Sequence, residues 1–199
     1  MQTYVVRRPG IAAGASELDA AFTRLRAFEE EPPERPARWL RSYALREADG
    51  RLGLACVFQA DSARALQQHA ELTQLAAAEI LPVAATLRVR PFAPAMVYLV
   101  RRRSVWKTAT EMARGAAAAR RVGSDEMARE VSWLHSYAVN EGDGTLGSVC
   151  LYQGIDPQAL RTHAARVGMA ADAIVPVIGR IVFRADPPQP SAPAHVTPA

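Results

Sequence analysis

The chain has 199 residues, 49% of them hydrophobic and 22% charged, the balance expected of a soluble globular protein with room for one or two cores. No apolar run reaches the roughly 18 residues of a membrane span, which argues against a membrane partner, and two cysteines, Cys56 and Cys150, are too few for a disulfide framework. The net charge of +4 is almost all arginine, since Lys107 is the only lysine, and carboxylates nearly match it; this residue bias predicts a generally basic protein and argues against a nucleic-acid partner.

Tyr4 to Arg8 opens the chain as a strand-like run with no basic and apolar leader before it, so cytoplasm is the expected location. An acidic, proline-rich connection, Glu29 to Pro36, follows the first helix. From Tyr4 to Val83 the chain matches itself at one gapless offset of 94 residues, Tyr4 to Arg8 falling on Tyr98 to Arg102. Trp39-Leu40-Arg41-Ser42-Tyr43-Ala44 falls on Trp133-Leu134-His135-Ser136-Tyr137-Ala138, and Asp49-Gly50 on Asp143-Gly144. Cys56 falls on Cys150, His69-Ala70 on His163-Ala164, and Pro82-Val83 on Pro176-Val177. Between the copies stands Pro91-Phe92-Ala93-Pro94, too short and stiff to let two domains roam.

The second copy gives the clearest elements. Val97 to Arg102 reads as a strand and the alanine-rich Thr110 to Arg121 as a helix. Val131 to Val139 alternates, Gly142-Asp143-Gly144 signals a hairpin, and Leu146 to Tyr152 returns. Asp156-Pro157 starts a helix that Gly168 ends, and Pro176 to Phe183 closes the copy as a strand. The order β-α-β-β-α-β is the split βαβ, ferredoxin-like arrangement. The expected fold class is therefore α+β: two tandem ferredoxin-like domains, residues 1–92 and 95–185, with a Pro/Ala/Ser-rich disordered tail at 186–199. Both parities of the strands are apolar, so each sheet needs a cover, and the other copy supplies it as an intramolecular dimeric α+β barrel. Further self-association stays open.

A two-residue turn centred on Asp143-Gly144 places Tyr137 opposite Cys150 and His135 opposite Tyr152. His135 and Cys150 are then diagonal neighbours, roughly 7 Å apart at Cβ, and imidazole with thiolate suits a borderline ion such as nickel, copper or zinc. Trp133, Tyr137 and Tyr152 wall this site, with Arg41, Tyr43 and Cys56 as the pocket candidates of the first copy. A loop of odd length puts His135 and Cys150 on opposite faces instead. Cys150 is equally well read as a small buried hydrophobe. His69 and His163 sit on or beside the buried stripe of the second helix of each copy, as structural histidines or as ligands reaching the sheet. Arg101-Arg102-Arg103 and Arg120-Arg121 read as solvated rims, or as clusters able to hold an anion. No CxxC pair, HExxH, phosphate-binding glycine loop or nucleophile elbow is present, so no catalytic residue is named.

Trp133-Leu134-His135-Ser136-Tyr137, Asp143-Gly144, Cys150-Leu151-Tyr152, Asp156-Pro157-Gln158-Ala159-Leu160, His163 to Gly168 and Ile174 to Val177 together resemble the nickel-binding protein family, also known as the DUF4242 domain. Trp39-Leu40-Arg41-Ser42-Tyr43 and Cys56-Val57-Phe58 extend the resemblance to the first copy. It implies a ferredoxin-like domain that dimerises through its sheet and, for at least one member, nickel binding. His135 and Cys150 stand at the family's His and Cys positions; Arg41 takes the His position in the first copy.

The expected function is a protein that binds a divalent metal, nickel first, or a small ligand, without catalysis. The alternatives are an α+β barrel enzyme of oxygenase or isomerase type using the inter-sheet cavity, and a structural or partner-binding module.

Overall fold

The computed structural model describes residues 1–30, 36–88, 96–182 and 184. The proline-rich connection after Glu30, the Pro91–Pro94 junction, Phe183 and the tail from residue 186 lie outside the described residues.

Among the described residues, eight strands and four α-helices follow in the order β1 (Gln2–Ala12), α1 (Ala15–Glu30), β2 (Ala37–Arg46), β3 (Leu52–Ala60), α2 (Ala63–Leu72), β4 (Glu79–Arg88), β5 (Met96–Trp106), α3 (Ala109–Arg121), β6 (Val131–Asn140), β7 (Leu146–Gly154), α4 (Pro157–Val167) and β8 (Ala173–Val182). A π-helical turn, Val122–Glu126, extends α3. The helices begin where side chains can take up free backbone N–H groups. Ser62 accepts from Ala65 N, Thr108 from Glu111 N and Asp156 from Ala159 N, while Glu111 reaches back to Lys107 N. Gly168, in the left-handed region at φ +72°, ends α4. β8 starts three residues earlier than the apolar run suggested, because Ala173 and Ile174 already pair with β5.

The strands pair antiparallel in the cyclic order β1-β3-β2-β8-β5-β7-β6-β4, a closed barrel. The segment β4-β1-β3-β2 joins β8-β5-β7-β6 through two seams, β2 with β8 and β4 with β6, so no edge is left unpaired among the described strands. Pairing within the segments repeats at the 94-residue offset: Val6 faces Cys56, and Val100 faces Cys150.

Alternation along each strand divides the side chains between the lumen and the helix-covered outside. The lumen is filled by one apolar cluster drawn from both segments, with Val5, Leu40, Tyr43 and Val57 meeting Leu99, Tyr137, Val149 and Leu151. Outside, α1 and α2 cover a core around Trp39, Cys56 and Phe58. α3 and α4 flank the corresponding core around Trp133, Cys150 and Tyr152. Among the described residues no helix is long and apolar enough to cross a membrane.

Candidate functional site

The β6–β7 hairpin decides which side chains can meet. Glu141 N donates to Thr145 O at 3.0 Å and Gly144 N to Glu141 O at 3.1 Å, enclosing the three residues Gly142, Asp143 and Gly144. Gly144 takes φ +81°, the left-handed position such a loop requires. The Asp143 carboxylate accepts from the Thr145 hydroxyl and backbone N–H and from the Ser104 hydroxyl, and these bonds hold its pKa below the usual carboxylate value. A three-residue loop shifts the register by one from the two-residue turn expected. Cys150 pairs with Ser136, Tyr137 with Val149, and His135 with Leu151. His135 and Cys150 therefore lie on opposite faces, and the expectation that they share an ion on one face is overturned.

A bulge between Trp133 and His135 completes this arrangement. An extra residue lets two successive side chains, Leu134 and His135, point toward one side. Leu134 packs on the lumen cluster, and the His135 ring lies 4.5 Å from that of Tyr137, a member of it. The same irregularity stands between Trp39 and Arg41, and Arg41 pairs with the lumen residue Val57. Of the eight side chains singled out, Arg41, Tyr43, His135 and Tyr137 thus belong to the lumen. Cys56, Trp133, Cys150 and Tyr152 belong to the helix-covered cores.

Those cores hold a polar motif that recurs. Trp39 Nε1 donates to Ser42 Oγ at 2.9 Å, and Ser42 Oγ to Cys56 Sγ at 2.9 Å; Trp133 Nε1 donates to Ser136 Oγ at 2.6 Å. Burial pushes the Cys56 thiol pKa up, opposed by the positive charge of Arg8 and by the Ser42 bond. Tyr152 stacks on Trp133 at 6.4 Å, and burial together with the nearby Cys150 holds its phenol well above the ordinary range. His163 is buried, with Nε2 3.1 Å from the Ala119 carbonyl; His69 is buried against the rings of Phe28 and Phe58.

Arg101 and Arg102 are not rim residues. They are 3% and 2% exposed, and only Arg103 of the triplet reaches solvent. Arg101 grips Glu141 with two bonds, at 2.8 and 3.0 Å, and lies 3.6 Å from Glu79, which also binds Arg103. Arg102 turns into the α3/α4 core, where Nε donates to Met169 O and Nη1 lies 3.7 Å from Cys150 Sγ. Strand parity carried the signal: Arg102 shares the face of Tyr98 and Val100.

Residues 98–177, less than half the chain, match a family described as nickel responsive protein SCO4226-like. No curated protein matches. Among solved structures the chain is similar to a candidate monooxygenase from Lactobacillus acidophilus NCFM, with 10% identity, 90% of this chain and 94% of that chain covered, and a TM-score of 0.47. It is also similar to an anthrone oxidase-like protein, with 10% identity, coverage of 91% and 93%, and a TM-score of 0.44. Likenesses this distant bear on no activity.

The donor set does not make a closed nickel shell. Among the described residues no three His, Cys, Asp or Glu side chains come together to hold an ion. Thiolate and imidazole, the two expected donors, are separated by the strand itself.

Proposed function

We propose that the chain is a metal-binding protein responsive to nickel, built from a duplicated ferredoxin-like domain (residues 1–92 and 95–185) whose two copies close into the barrel. The observation that carries this reading is the family match over residues 98–177, a span that runs from β5 to β8 and contains His135. His135 is the donor in this reading. It is half-buried where the bulge turns it inward, a neutral imidazole offers a lone pair, and its partner position in the first copy, Arg41, offers none. Cys150 has no part in that site, so a bound ion would draw its remaining ligands from water or from a second molecule. The reading therefore expects an open, exchangeable site suited to sensing rather than a structural ion.

The test is elemental analysis and nickel calorimetry on tag-free protein, with His135→Ala, Arg41→Ala and Cys150→Ser alongside. Nickel binding lost only in His135→Ala supports the reading. Absence of nickel binding, or an unchanged affinity in His135→Ala, overturns it.

A further inference from the structure

The core under α3 and α4 contains a small, partly enclosed space that the packing does not account for. It amounts to about 20 Å³ and is lined by Arg102, Ser136, Ser148 and Cys150 among apolar side chains that include Trp106 and Met169. A space of roughly 10–15 Å³ already admits one water-sized occupant.

Three polar features converge on it. Arg102 is 2% exposed and permanently charged, yet no carboxylate pairs with it among the described residues; its contacts are Met169 O, Cys150 Sγ and the face of the Tyr152 ring. Ser148, directly opposite Arg102 on the β5–β7 ladder, is 1% exposed, and its hydroxyl has no hydrogen-bond partner among the described residues. Leu54 fills the position 94 residues earlier, opposite Arg8, so the strand itself has no need of a hydroxyl there. The Ser136 hydroxyl lines the same space.

A buried charge without a counter-charge is costly, and a buried hydroxyl without a partner adds to the cost. A neutral water would satisfy the hydroxyl and leave the charge. The Cys150 sulfur at 3.7 Å is longer than a charge-assisted contact. We infer that the space between Arg102 and Ser148 binds a small monovalent anion of halide size, held by the guanidinium and the serine hydroxyl. The cavity's size excludes sulfate, phosphate and organic carboxylates.

The test uses the full chain. Thermal melts are recorded in sodium gluconate at fixed ionic strength while chloride, bromide or sulfate is titrated in, and crystals grown in bromide are searched for anomalous scattering. Chloride and bromide should raise Tm with the logarithm of their concentration above Kd, by about 5–10 °C at a hundredfold excess, and sulfate should not. Bromide should lie against Arg102 and Ser148. Ser148→Ala, which removes one oxygen and is expected to fold, should weaken halide affinity by about tenfold or more, and Arg102→Gln should abolish the halide response. A halide-independent Tm overturns the inference, as does an undiminished response in Ser148→Ala. It also falls if a thiolate absorbance at neutral pH disappears in Cys150→Ser, because Cys150 would then be the counter-charge.

Discussion

Replacing His163 with leucine tests the join between the two helices of the second half. α3 changes at Val122 from α- to π-helical hydrogen bonding, and the Ala119 carbonyl lies just before that change. A carbonyl in the turn where the ladder widens has a poorer helical donor, and His163 Nε2 reaches it from α4 at 3.1 Å. A carbonyl can only accept, so this bond places a hydrogen on His163 Nε2. Leucine keeps most of the volume and removes the donor that α4 supplies to this carbonyl. The lost bond and the under-satisfied carbonyl together cost about 1–3 kcal/mol, or about 2–12 °C in Tm for a chain of this size. The pH dependence gives a second reading. Burial lowers the His163 pKa, reinforced by the nearby Arg102 charge and opposed by the Ala119 bond. As pH falls below the unfolded value near 6.5 the unfolded chain takes up the proton first, so the stability contributed above that pH is lost on acidification toward the folded pKa. Urea melts from pH 8 to 5 should show a shallower acid loss in His163→Leu than in the parent. Equal stability at pH 8, or an unchanged pH slope, would refute the account.

Further outcomes follow from close approaches and burial. A Cβ on Gly147 would lie 2.6 Å from the Arg102 backbone oxygen, so Gly147→Ala should cost about 1–3 kcal/mol or more, while Gly142→Ala, with nothing within 4 Å, should be nearly neutral in the same melts. Leu40, 1% exposed in the lumen cluster, should cost about 2–5 kcal/mol on change to alanine, and an m-value equal to the parent's would show that the barrel survives. Cys56, fully buried with its thiol pKa raised by burial, should stay inert to thiol reagents at pH 8 until denaturant is added; fast labelling of native Cys150→Ser would contradict this.

The elements were legible because caps and breakers mark them: Asp156-Pro157 and Gly168 bracket α4, and alternation marks β6. The register was not. Gly142-Asp143-Gly144 is compatible with a two-residue turn and with a three-residue loop, and only the observed bonds between Glu141, Gly144 and Thr145 separate them. One residue of difference moved Cys150 from His135's face to the other. The bulges were equally hidden, since nothing in Trp-Leu-Arg or Trp-Leu-His distinguishes a regular strand from one with an added residue. The buried arginines were readable by parity, but a triplet of charges invites the assumption of solvent, and it takes the tertiary placement of α3 and α4 to show where Arg102 goes.

The bulge in β6 also determines which experiments are independent. It turns His135 into the lumen, while Cys150, Ser136 and Ser148 stay on the helix-covered side. The strand's backbone stands between these groups, and no polar contact joins them among the hydrogen bonds described above. A cation bound at His135 and an anion bound beside Arg102 would accordingly occupy separate compartments of one domain. His135→Ala should then leave the halide response intact, and Ser148→Ala should leave nickel binding intact. Coupling in either direction requires an element that both sites bias, and β6, which carries both His135 and Ser136, is the one strand placed to transmit it.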